Sequence, residues 1–399
     1  MRIAFFIEIF FPEIHGVLTS TLDLARNLKS LGHHVILVVP RAKSCEAIHE
    51  VDGMAVFKVP SIPSYIYPGV RINFPWSRTL SKIMRKENIE ILHTTGPGFL
   101  GMAVANHAKK YRTPLVQTFH TLLYEEKYLL YLIRLRCLLP LGRLIARHWI
   151  GRVINVSDLV TAPARFTCEE LKKLFPKKTI RHISNGIDFS LFRTYPAKDE
   201  FLAKHPFFTE KTFMFVGRVG MEKSIDVLIR GFAEAVKIDR SLRLAIVGDG
   251  PSGEAMKALV VEHGVQDEIV FLGKMVHAGL LASGLLQYSR AFITASVTEN
   301  QPMTVIEAAC CGLPLILADA AGLKELAGDT AMFFPAGDEA ALKDCILRLA
   351  KDDGLHAKLG AASRELARNF DGNNVARQFE AEYERLLAGF ADHGGLPVN

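Results

Sequence analysis

Short apolar runs alternate with helical patterns along almost the whole chain, and this alternation limits the folds open to it. In the first half, the predicted strands cover residues 2–10, 34–40, 55–60, 89–94, 114–121 and 158–164, and residues 180–188 are predicted to form a last strand and a turn that leads out of the domain. In the second half, they cover residues 212–219, 242–250, 268–275, 290–296, 313–319 and 331–337. Apolar strands that are joined through helices indicate parallel sheets buried on both faces. We therefore predict an α/β fold with two doubly wound parallel sheets.

The length of 399 residues favours two domains, because it exceeds that of one ordinary domain. We predict a first Rossmann-like domain over residues 1–190 and a second over residues 211–374. Residues 191–210 carry prolines and mixed charges and are predicted to be the linker. Residues 375–392 are predicted to form an amphipathic helix, with packing back on the first domain as an option.

The composition is ordinary for a soluble α/β protein, with 49% hydrophobic and 23% charged residues. The six cysteines form no Cys-x-x-Cys pair and no zinc pattern with histidines, which indicates reduced thiols in a cytosolic protein. Glu8, Pro12 and Glu13 interrupt the apolar start of the chain, which favours a strand over a signal peptide. No segment reaches the roughly 18 apolar residues that span a bilayer.

The positive charge is concentrated in residues 127–152, a basic amphipathic segment without an acidic residue. Its basic residues are Lys127, Arg134, Arg136, Arg143, Arg147 and Arg152, with Trp149 among them. One interpretation is a core helix pair with a solvated face. Another is a surface that contacts anionic lipid, in which the arginines from Arg134 to Arg152 and Trp149 contact membrane or acceptor. Nucleic acid is a weaker option, because no binding motif accompanies the charge.

Glu299 and Glu307 stand eight positions apart, with Pro302 between them, ahead of an apolar helical pattern. Proline is tolerated in the first turn of a helix, so Glu299 is predicted on the preceding loop and Glu307 about one turn inside the helix. Backbone N–H groups at a helix start suit a phosphate, and carboxylates accept hydrogen bonds from sugar hydroxyls. The segment therefore predicts a nucleotide-sugar site.

Arg218 and Lys223 lie five positions apart on a glycine-containing turn after the first strand of the second domain. A surface pair of cations is commonly only solvated. Two cations at the mouth of a sheet, however, suit a diphosphate and its departure as a leaving group. Gly248 and Gly273 lie on other strand-end loops, where the main chain could hold a nucleobase.

Gly16 and His120 are the candidates in the first domain. Gly16 precedes a helix and would let a phosphate or sugar approach the backbone, although a plain turn glycine is the simpler alternative. His120 ends a strand, where a histidine is often structural. A neutral imidazole there could hold a sugar hydroxyl.

Together these residues resemble the retaining glycosyltransferases of family 4, which have the GT-B arrangement of two facing Rossmann-like domains with an interdomain cleft. The resemblance covers nearly the whole chain. The matching motifs are HGVLTS at 15–20, FHT at 119–121, SNGID at 184–188, VGRVGMEKSIDVLI at 216–229, VGDGP at 247–251 and the Glu-x7-Glu segment at 299–307.

The resemblance implies a role for each candidate. Arg218 and Lys223 would hold the donor diphosphate, Glu307 the ribose, and Gly16 would lie against the diphosphate. His120 would line the sugar pocket. Glu299 and the segment after it would hold the donor sugar through Asn300, Pro302, Met303 and Thr304. Such enzymes are expected to need no metal or other cofactor, since the two cations take the place of a divalent ion.

The motif at 15–20 resembles the Asn-Gly-Val pattern of members that glycosylate lipids, with His15 in place of the asparagine. Residues 119–131 and 59–75 also resemble the diacylglycerol glucosyltransferase group. The expectation is a retaining hexosyltransferase that moves glucose from UDP-glucose to diacylglycerol, peripheral on the inner face of the cell membrane. No carboxylate of the first domain is a clear covalent nucleophile, which favours front-face substitution.

Three alternatives remain open at this point. A transferase of the same fold could glucosylate or mannosylate a soluble or cell-envelope glycan, and it would work without membranes. A UDP-sugar epimerase would turn over its substrate without an acceptor. A silent nucleotide-sugar or lipid-binding protein would bind the donor without turnover.

Overall fold

The computed structural model describes residues 1–11, 15–64, 71–74, 77–120 and 139–392, with only the backbone of residue 392. The chain forms two compact units. Unit 1 comprises Met1–Gly186 and Gly372–Asn399, and unit 2 comprises Ile187–Asp371. The chain therefore leaves unit 1, completes unit 2, and then returns to unit 1.

Unit 1 is built on an eight-stranded sheet in the order β10-β9-β8-β7-β1-β2-β4-β3. Strands β5 and β6 form a separate antiparallel pair. Its strands are β1 (Arg2–Phe6), β2 (His34–Pro40), β3 (Glu50–Val51), β4 (Met54–Val59), β5 (Ser61–Pro63), β6 (Arg71–Asn73), β7 (Ile91–Thr94), β8 (Leu115–Thr118), β9 (Leu159–Ala162) and β10 (Ile180–His182). All pairs of the large sheet are parallel except β3–β4. The strand order reverses between β1 and β7, and ligands of such sheets bind at the carboxyl ends beside that reversal.

Helices cover both faces of this sheet. They are α1 (Gly16–Ser30), α2 (Arg78–Lys86), α3 (Phe99–Tyr111), α4 (Leu139–Val156), α5 (Arg165–Leu174) and, numbered in chain order, α14 (Gly372–Asp392). Along β1, Ile3 and Phe5 face the cluster under α1 and α14, whereas Ala4 and Phe6 face the cluster under α2 and α3. Because both faces are buried, the strand reads as a continuous apolar run.

Helix α14 is fixed to unit 1 by polar contacts as well as by packing. The Tyr383 hydroxyl lies 2.6 Å from Nδ1 of the buried His93, and Glu380 Oε1 lies 2.8 Å from His33 Nε2. Tyr383 itself is completely buried. A helix from the end of the sequence thus completes the core of the unit that begins the sequence.

Unit 2 is a six-stranded, wholly parallel sheet in the order β13-β12-β11-β14-β15-β16. Its strands are β11 (Thr212–Val216), β12 (Arg243–Val247), β13 (Ile269–Gly273), β14 (Ala291–Thr294), β15 (Leu315–Ala318) and β16 (Met332–Phe334). Its helices are α6 (Lys198–Lys204), α7 (Ile225–Ile238), α8 (Gly253–Glu262), α9 (His277–Ala282), α10 (Met303–Cys310), α11 (Ala321–Ala327), α12 (Glu339–Lys351) and α13 (Asp353–Ala367). The strand order reverses between β11 and β14, which confirms the predicted doubly wound sheet and selects the loops after these two strands as the ligand edge.

The prediction that residues 191–210 form a linker is wrong. This segment contains α6 and contributes three buried aromatic side chains, Phe192, Phe201 and Phe208, to the core of unit 2. Phe201 packs edge-on against Phe208, with ring centroids 5.1 Å apart. Burial of these large side chains outweighs the local proline and charge pattern on which the prediction rested.

The basic segment 127–152 divides into parts. Residues 121–138, and with them Lys127, Arg134 and Arg136, lie outside the described residues. The carboxyl-terminal half of α4 is core, with Ile150, Val153 and Ile154 buried. The core interpretation therefore holds for the carboxyl-terminal half of α4, while contact with anionic lipid stays a prediction.

The amino-terminal half of α4 presents an apolar surface to solvent. Leu141, Leu144 and Ile145 are 55%, 65% and 59% exposed, and they alternate with the partly exposed Arg143 and the exposed Arg147. Among the described helices, none is long and apolar enough to cross a bilayer.

Trp149 is not part of this exposed surface, contrary to its predicted membrane or acceptor role. Its indole N–H donates to the Pro97 carbonyl oxygen at 2.6 Å, and its ring meets Phe99 edge-on, with centroids 5.2 Å apart. Buried indole N–H groups generally find such a partner. Trp149 therefore anchors α4 to the loop after β7.

Candidate active site

Two cations lie on the loop that follows β11, at the strand-order reversal of unit 2. Arg218 is exposed, with its guanidinium 4.0 Å from Glu222 Oε1. Lys223 ends a 3₁₀ turn, and Ser224 after it has a φ of 48° before α7 begins. The turn places both cations at the edge of the sheet where ligands bind.

The loop that follows β14 is joined to this cationic loop. Lys223 Nζ lies 2.5 Å from Glu299 Oε1. The hydroxyls of Ser296 and Thr298 donate to the main-chain oxygen of Glu222 at 3.2 and 3.5 Å. The structure thus brings together Lys223 and Glu299, which are 76 residues apart in sequence.

Gly322 allows the Glu299 segment to lie against α11. A Cβ at this position would stand 2.1 Å from the Glu299 carbonyl oxygen and 2.6 Å from that of Asn300. Because neither oxygen is on a movable side chain, any larger residue would displace the segment. The main chain predicted to hold the donor sugar is therefore seated on a glycine that the sequence analysis did not identify.

Helix α10 begins as the sequence predicts. Pro302 precedes its first turn, and Met303 and Thr304 form the start of that turn. The Met303 side chain is buried, so the role predicted for Met303 would rest on its main chain. The N–H groups of this turn lie at the positive end of the helix dipole.

Glu307 lies one turn further along α10 and is only 2% exposed. Its Oε1 is 2.8 Å from Nε2 of His277, the first residue of α9. A buried carboxylate needs hydrogen-bonding partners, and the imidazole orients this one. His277 was missed at the sequence level, although its place shortly after β13 put it at the same sheet edge.

Gly248 and Gly273 hold neighbouring loops together. Gly248 has a φ of 139°, and a Cβ on it would stand 1.8 Å from the Gly217 carbonyl oxygen. Its N–H donates to the Gly273 carbonyl oxygen at 2.9 Å. Close packing against the Gly217 backbone explains Gly248, and a φ of 73° explains Gly273. Their contact with a nucleobase stays a prediction.

In unit 1, Gly16 is the first residue of α1 and His15 caps that helix. His15 Nδ1 accepts the Leu18 N–H at 3.4 Å, and Nε2 lies 3.2 Å from the Ile9 carbonyl oxygen. A neutral imidazole with its proton on Nε2 satisfies both contacts. His15 thus caps the helix at the position where the motif it resembles carries asparagine, which is itself a favoured N-cap residue.

His120 follows β8, and its pKa is lowered to about 4, first by burial and then by the charge that His15 carries when it is protonated. It is therefore neutral at pH 7, as its predicted role in the sugar pocket requires. That role itself stays a prediction.

Glu8 is a second residue that the sequence analysis did not assign to a site. It follows β1, and its carboxylate accepts the main-chain N–H of Gly101 at 2.7 Å and of Leu100 at 3.2 Å. Burial raises its pKa to about 7, although these two hydrogen bonds act in the opposite direction. No pattern signals this pairing in the sequence, beyond a charge placed directly after a buried strand.

Within the part of the chain that the structure describes, no group of three or more histidine, cysteine or acidic residues is placed to hold a metal ion. The expected independence of metals stays a prediction.

Two family profiles match the chain. The profile of Glycosyltransferase Family 4 matches residues 14–191, and that of Glycosyl transferases group 1 matches residues 210–352. The first match contains Gly16 and His120, and the second contains Arg218, Lys223 and both glutamates.

Characterised proteins with similar sequences include the alpha-monoglucosyldiacylglycerol synthase of Acholeplasma laidlawii, which is 30% identical over 79% of this chain and 80% of its own length. The protein of the same name from Streptococcus pneumoniae is 26% identical over 79% of this chain and 70% of its own length. A GDP-mannose-dependent alpha-mannosyltransferase of Corynebacterium glutamicum is 24% identical over 98% of this chain and 89% of its own length.

Solved structures with the same fold include Anabaena HepE in complex with UDP and glucose, at a TM-score of 0.77 and 15% identity over 96% of this chain and all of that one. The sucrose-phosphate synthase of Thermosynechococcus elongatus superposes with a TM-score of 0.79 at 19% identity, over 97% of this chain and 99% of its own. At these identities the likeness shows the fold alone.

Proposed function

We propose, from the premise that the chain belongs to glycosyltransferase family 4 and has the GT-B fold, that it transfers glucose from UDP-glucose to 1,2-diacylglycerol with retention of configuration. Glycosyl transfer itself follows from the family. The donor, the lipid acceptor and the stereochemistry are the proposal. The observation that carries it is the pairing of Lys223 with Glu299 at the strand-order reversal of unit 2.

The paired loops supply what a nucleotide-sugar needs. Arg218 and Lys223 offer positive charge to the diphosphate, and the first turn of α10 adds main-chain N–H groups. Glu299, next to Lys223, offers carboxylate oxygens to the sugar hydroxyls. Glu307, oriented by His277, does the same for the ribose.

The chemistry proposed is front-face substitution. The bond from the anomeric carbon to the phosphate oxygen breaks, and the bond to the acceptor oxygen forms on the same face. The acceptor proton passes to the departing phosphate oxygen. Arg218 and Lys223 stabilise the charge that develops on that leaving group, which is where preorganised donors contribute most. The positions of Gly16 against the diphosphate and of His120 in the sugar pocket are kept as proposals.

A lipid acceptor is supported by the exposed apolar surface of α4 and by the names of two relatives. Leu141, Leu144 and Ile145 lie between basic residues, the pattern of a helix that rests in a membrane interface. Each of the two alpha-monoglucosyldiacylglycerol synthases aligns with 79% of this chain. Peripheral attachment to an anionic membrane is proposed on this basis.

Mannosyl transfer from GDP-mannose is the second candidate. It is favoured by the mannosyltransferase of Corynebacterium glutamicum, which aligns with 98% of this chain. The same paired loops would hold that donor, since a diphosphate and a hexose are common to both.

The test is a panel of UDP- and GDP-hexoses, with and without mixed micelles of diacylglycerol and anionic phospholipid, in the presence of EDTA. We expect a glycolipid from UDP-glucose only when the micelles are present, with an α-linkage by NMR. Transfer from GDP-mannose instead would establish the second candidate. Nucleotide release that is unaffected by micelles would move the acceptor into solution, and loss of activity in EDTA would refute metal independence.

A further inference from the structure

The strand-order reversal of unit 1, between β1 and β7, is occupied by a side chain of the chain itself. The Glu8 carboxylate reaches from the end of β1 to the amino end of α3, where it accepts the N–H groups of Leu100 and Gly101. A helix start is positive, so a carboxylate there is stabilising. This is the edge at which a ligand of such a sheet binds.

The loop after β7 is shaped closely around this carboxylate. A Cβ at Gly98 would stand 2.7 Å from Glu8 Oε2, and a Cβ at Gly101 would stand 2.3 Å from the Gly96 carbonyl oxygen. Trp149 holds the same loop from its other side, through the hydrogen bond to Pro97. The loop is therefore fixed between a carboxylate from β1 and an indole from α4.

Glu8 is also connected to the start of α1. The next residue, Ile9, contacts His15 Nε2 through its carbonyl oxygen, and His15 Nδ1 caps the helix at Leu18. A displacement of Glu8 would move Ile9 and weaken its contact with His15. The first residue of that helix is Gly16.

We propose that Glu8 is a positioning residue, whose carboxylate holds the amino end of α3 and, through Ile9 and the His15 cap, fixes Gly16 at the start of α1. The proposal rests on the proposed function insofar as Gly16 lies against the donor diphosphate. Its structural part, that Glu8 controls the order of the α1 start, is independent of any substrate.

The test compares Glu8→Ala and Glu8→Gln with the full-length protein by amide hydrogen exchange, over peptides that cover residues 99–102 and 16–19. We expect exchange to become about tenfold faster at both places in Glu8→Ala. Glu8→Gln, which keeps one accepting oxygen, should fall between. Glu254→Ala is the matched control, because Glu254 is an exposed carboxylate in the first turn of α8.

Activity provides the second measurement. We expect Glu8→Ala to raise the donor KM about tenfold, with a smaller change in kcat. Added formate should restore donor KM and exchange protection in Glu8→Ala, because it can occupy the vacated place before α3. Formate should not do so in Glu8→Gln, where the amide still fills that place.

The outcomes separate the two proposals. Faster exchange at residues 99–102 with unchanged exchange at 16–19 would overturn the positioning role, whatever the activity. An equal loss of turnover and thermal stability that formate does not restore would reduce Glu8 to a structural residue. If no donor supports transfer but hydrogen exchange changes as expected, the proposed function is refuted, and the conclusion that Glu8 controls the order of the α1 start stands.

Discussion

At the scale of single residues, the charges of the site are held by one another before any donor binds. The Glu299 side chain is only 11% exposed and lies against Lys223, whose ammonium compensates it. Removing one member of such a pair leaves the other partly buried without a counter-charge, which is destabilising for the local arrangement. Lys223 is therefore expected to act on the donor and on the orientation of Glu299 at once.

Lys223→Ala and Arg218→Ala are each predicted to lower kcat/KM. The loss corresponds to about 2–4 kcal/mol of transition-state stabilisation, by analogy with loss of an oxyanion donor. The control is Lys257→Ala, which removes an exposed lysine paired with Glu254 on α8. Steady-state kinetics with the donor identified by the panel measures the effect. Near-normal turnover in either site variant would show that the diphosphate lies elsewhere.

Short-range pattern was sufficient for some site residues and insufficient for others. Glu299 and Glu307 belong to one loop-and-helix segment, so their spacing in the sequence was enough to predict which of them lies on the loop and which on the helix. Glu8 contacts Gly101, which is 93 positions away in sequence, and His277 contacts Glu307, which is 30 positions away. These partners come together only through the order of the strands in each sheet. No local periodicity carries such a pairing.

At the scale of elements, α4 shows how one helix can divide between core and surface. Its last turns are buried in unit 1, while its first turns expose three large apolar side chains. The sequence indicated the amphipathic segment but not where along it burial stops. Trp149 was assigned to the wrong side because an aromatic among arginines looks the same in either setting.

The triple change Leu141→Gln, Leu144→Gln and Ile145→Gln is predicted to weaken binding to anionic vesicles by about 1–2 kcal/mol per side chain, through lost apolar burial. The melting temperature should change little, since these side chains are exposed in the protein. Vesicle co-sedimentation and thermal unfolding measure the two quantities.

The control for that helix is Ile238→Gln with Val261→Gln, two exposed apolar residues of unit 2. Neutralising Arg147 and Arg152 should remove about 1 kcal/mol of binding per charge. Equal vesicle binding by the triple variant, the control and the unchanged protein would return α4 to an ordinary structural role.

The elements themselves were predicted better than their limits. The strands of both sheets other than β3 were located, and the strand of the strand-and-turn stretch predicted over 180–188 is Ile180–His182. The short strands β3, β5 and β6 were not predicted. Residues 191–210 were assigned to a linker because prolines and charges dominate locally, whereas packing of the phenylalanines decided the outcome.

At the scale of the whole molecule, stability toward acid is set by histidines buried in unit 1. His93 lies between the Tyr383 hydroxyl and the Thr118 hydroxyl, each 2.6 Å from a ring nitrogen. Burial, and then the potential of His120, lowers its pKa from 6.5 to about 3. The folded state therefore binds fewer protons than the unfolded state between these values, so stability falls as pH falls through 6.5 toward 3.

We predict that the free energy of unfolding of unit 1 drops by about 2 kcal/mol between pH 7 and pH 5 through His93 alone. Glu8 acts in the opposite direction, because its raised pKa of about 7 favours the folded state as the pH falls toward its ordinary value of 4.5. His93→Gln should flatten the pH dependence, measured by denaturant unfolding at each pH. The exposed His34→Gln is the control, and an unchanged slope in His93→Gln would refute the assignment.

The return of α14 to unit 1 has a consequence for how the protein is made. Unit 2 is one continuous stretch of chain, Ile187–Asp371, and all of it has been synthesised before Tyr383 leaves the ribosome. Until then unit 1 lacks the cover that Val375, Phe379 and Tyr383 of α14 supply. The core of unit 1 is thus completed only after unit 2 has been translated. Until then the sheet face that α14 covers stays exposed, and this is the face that a nascent-chain chaperone would protect.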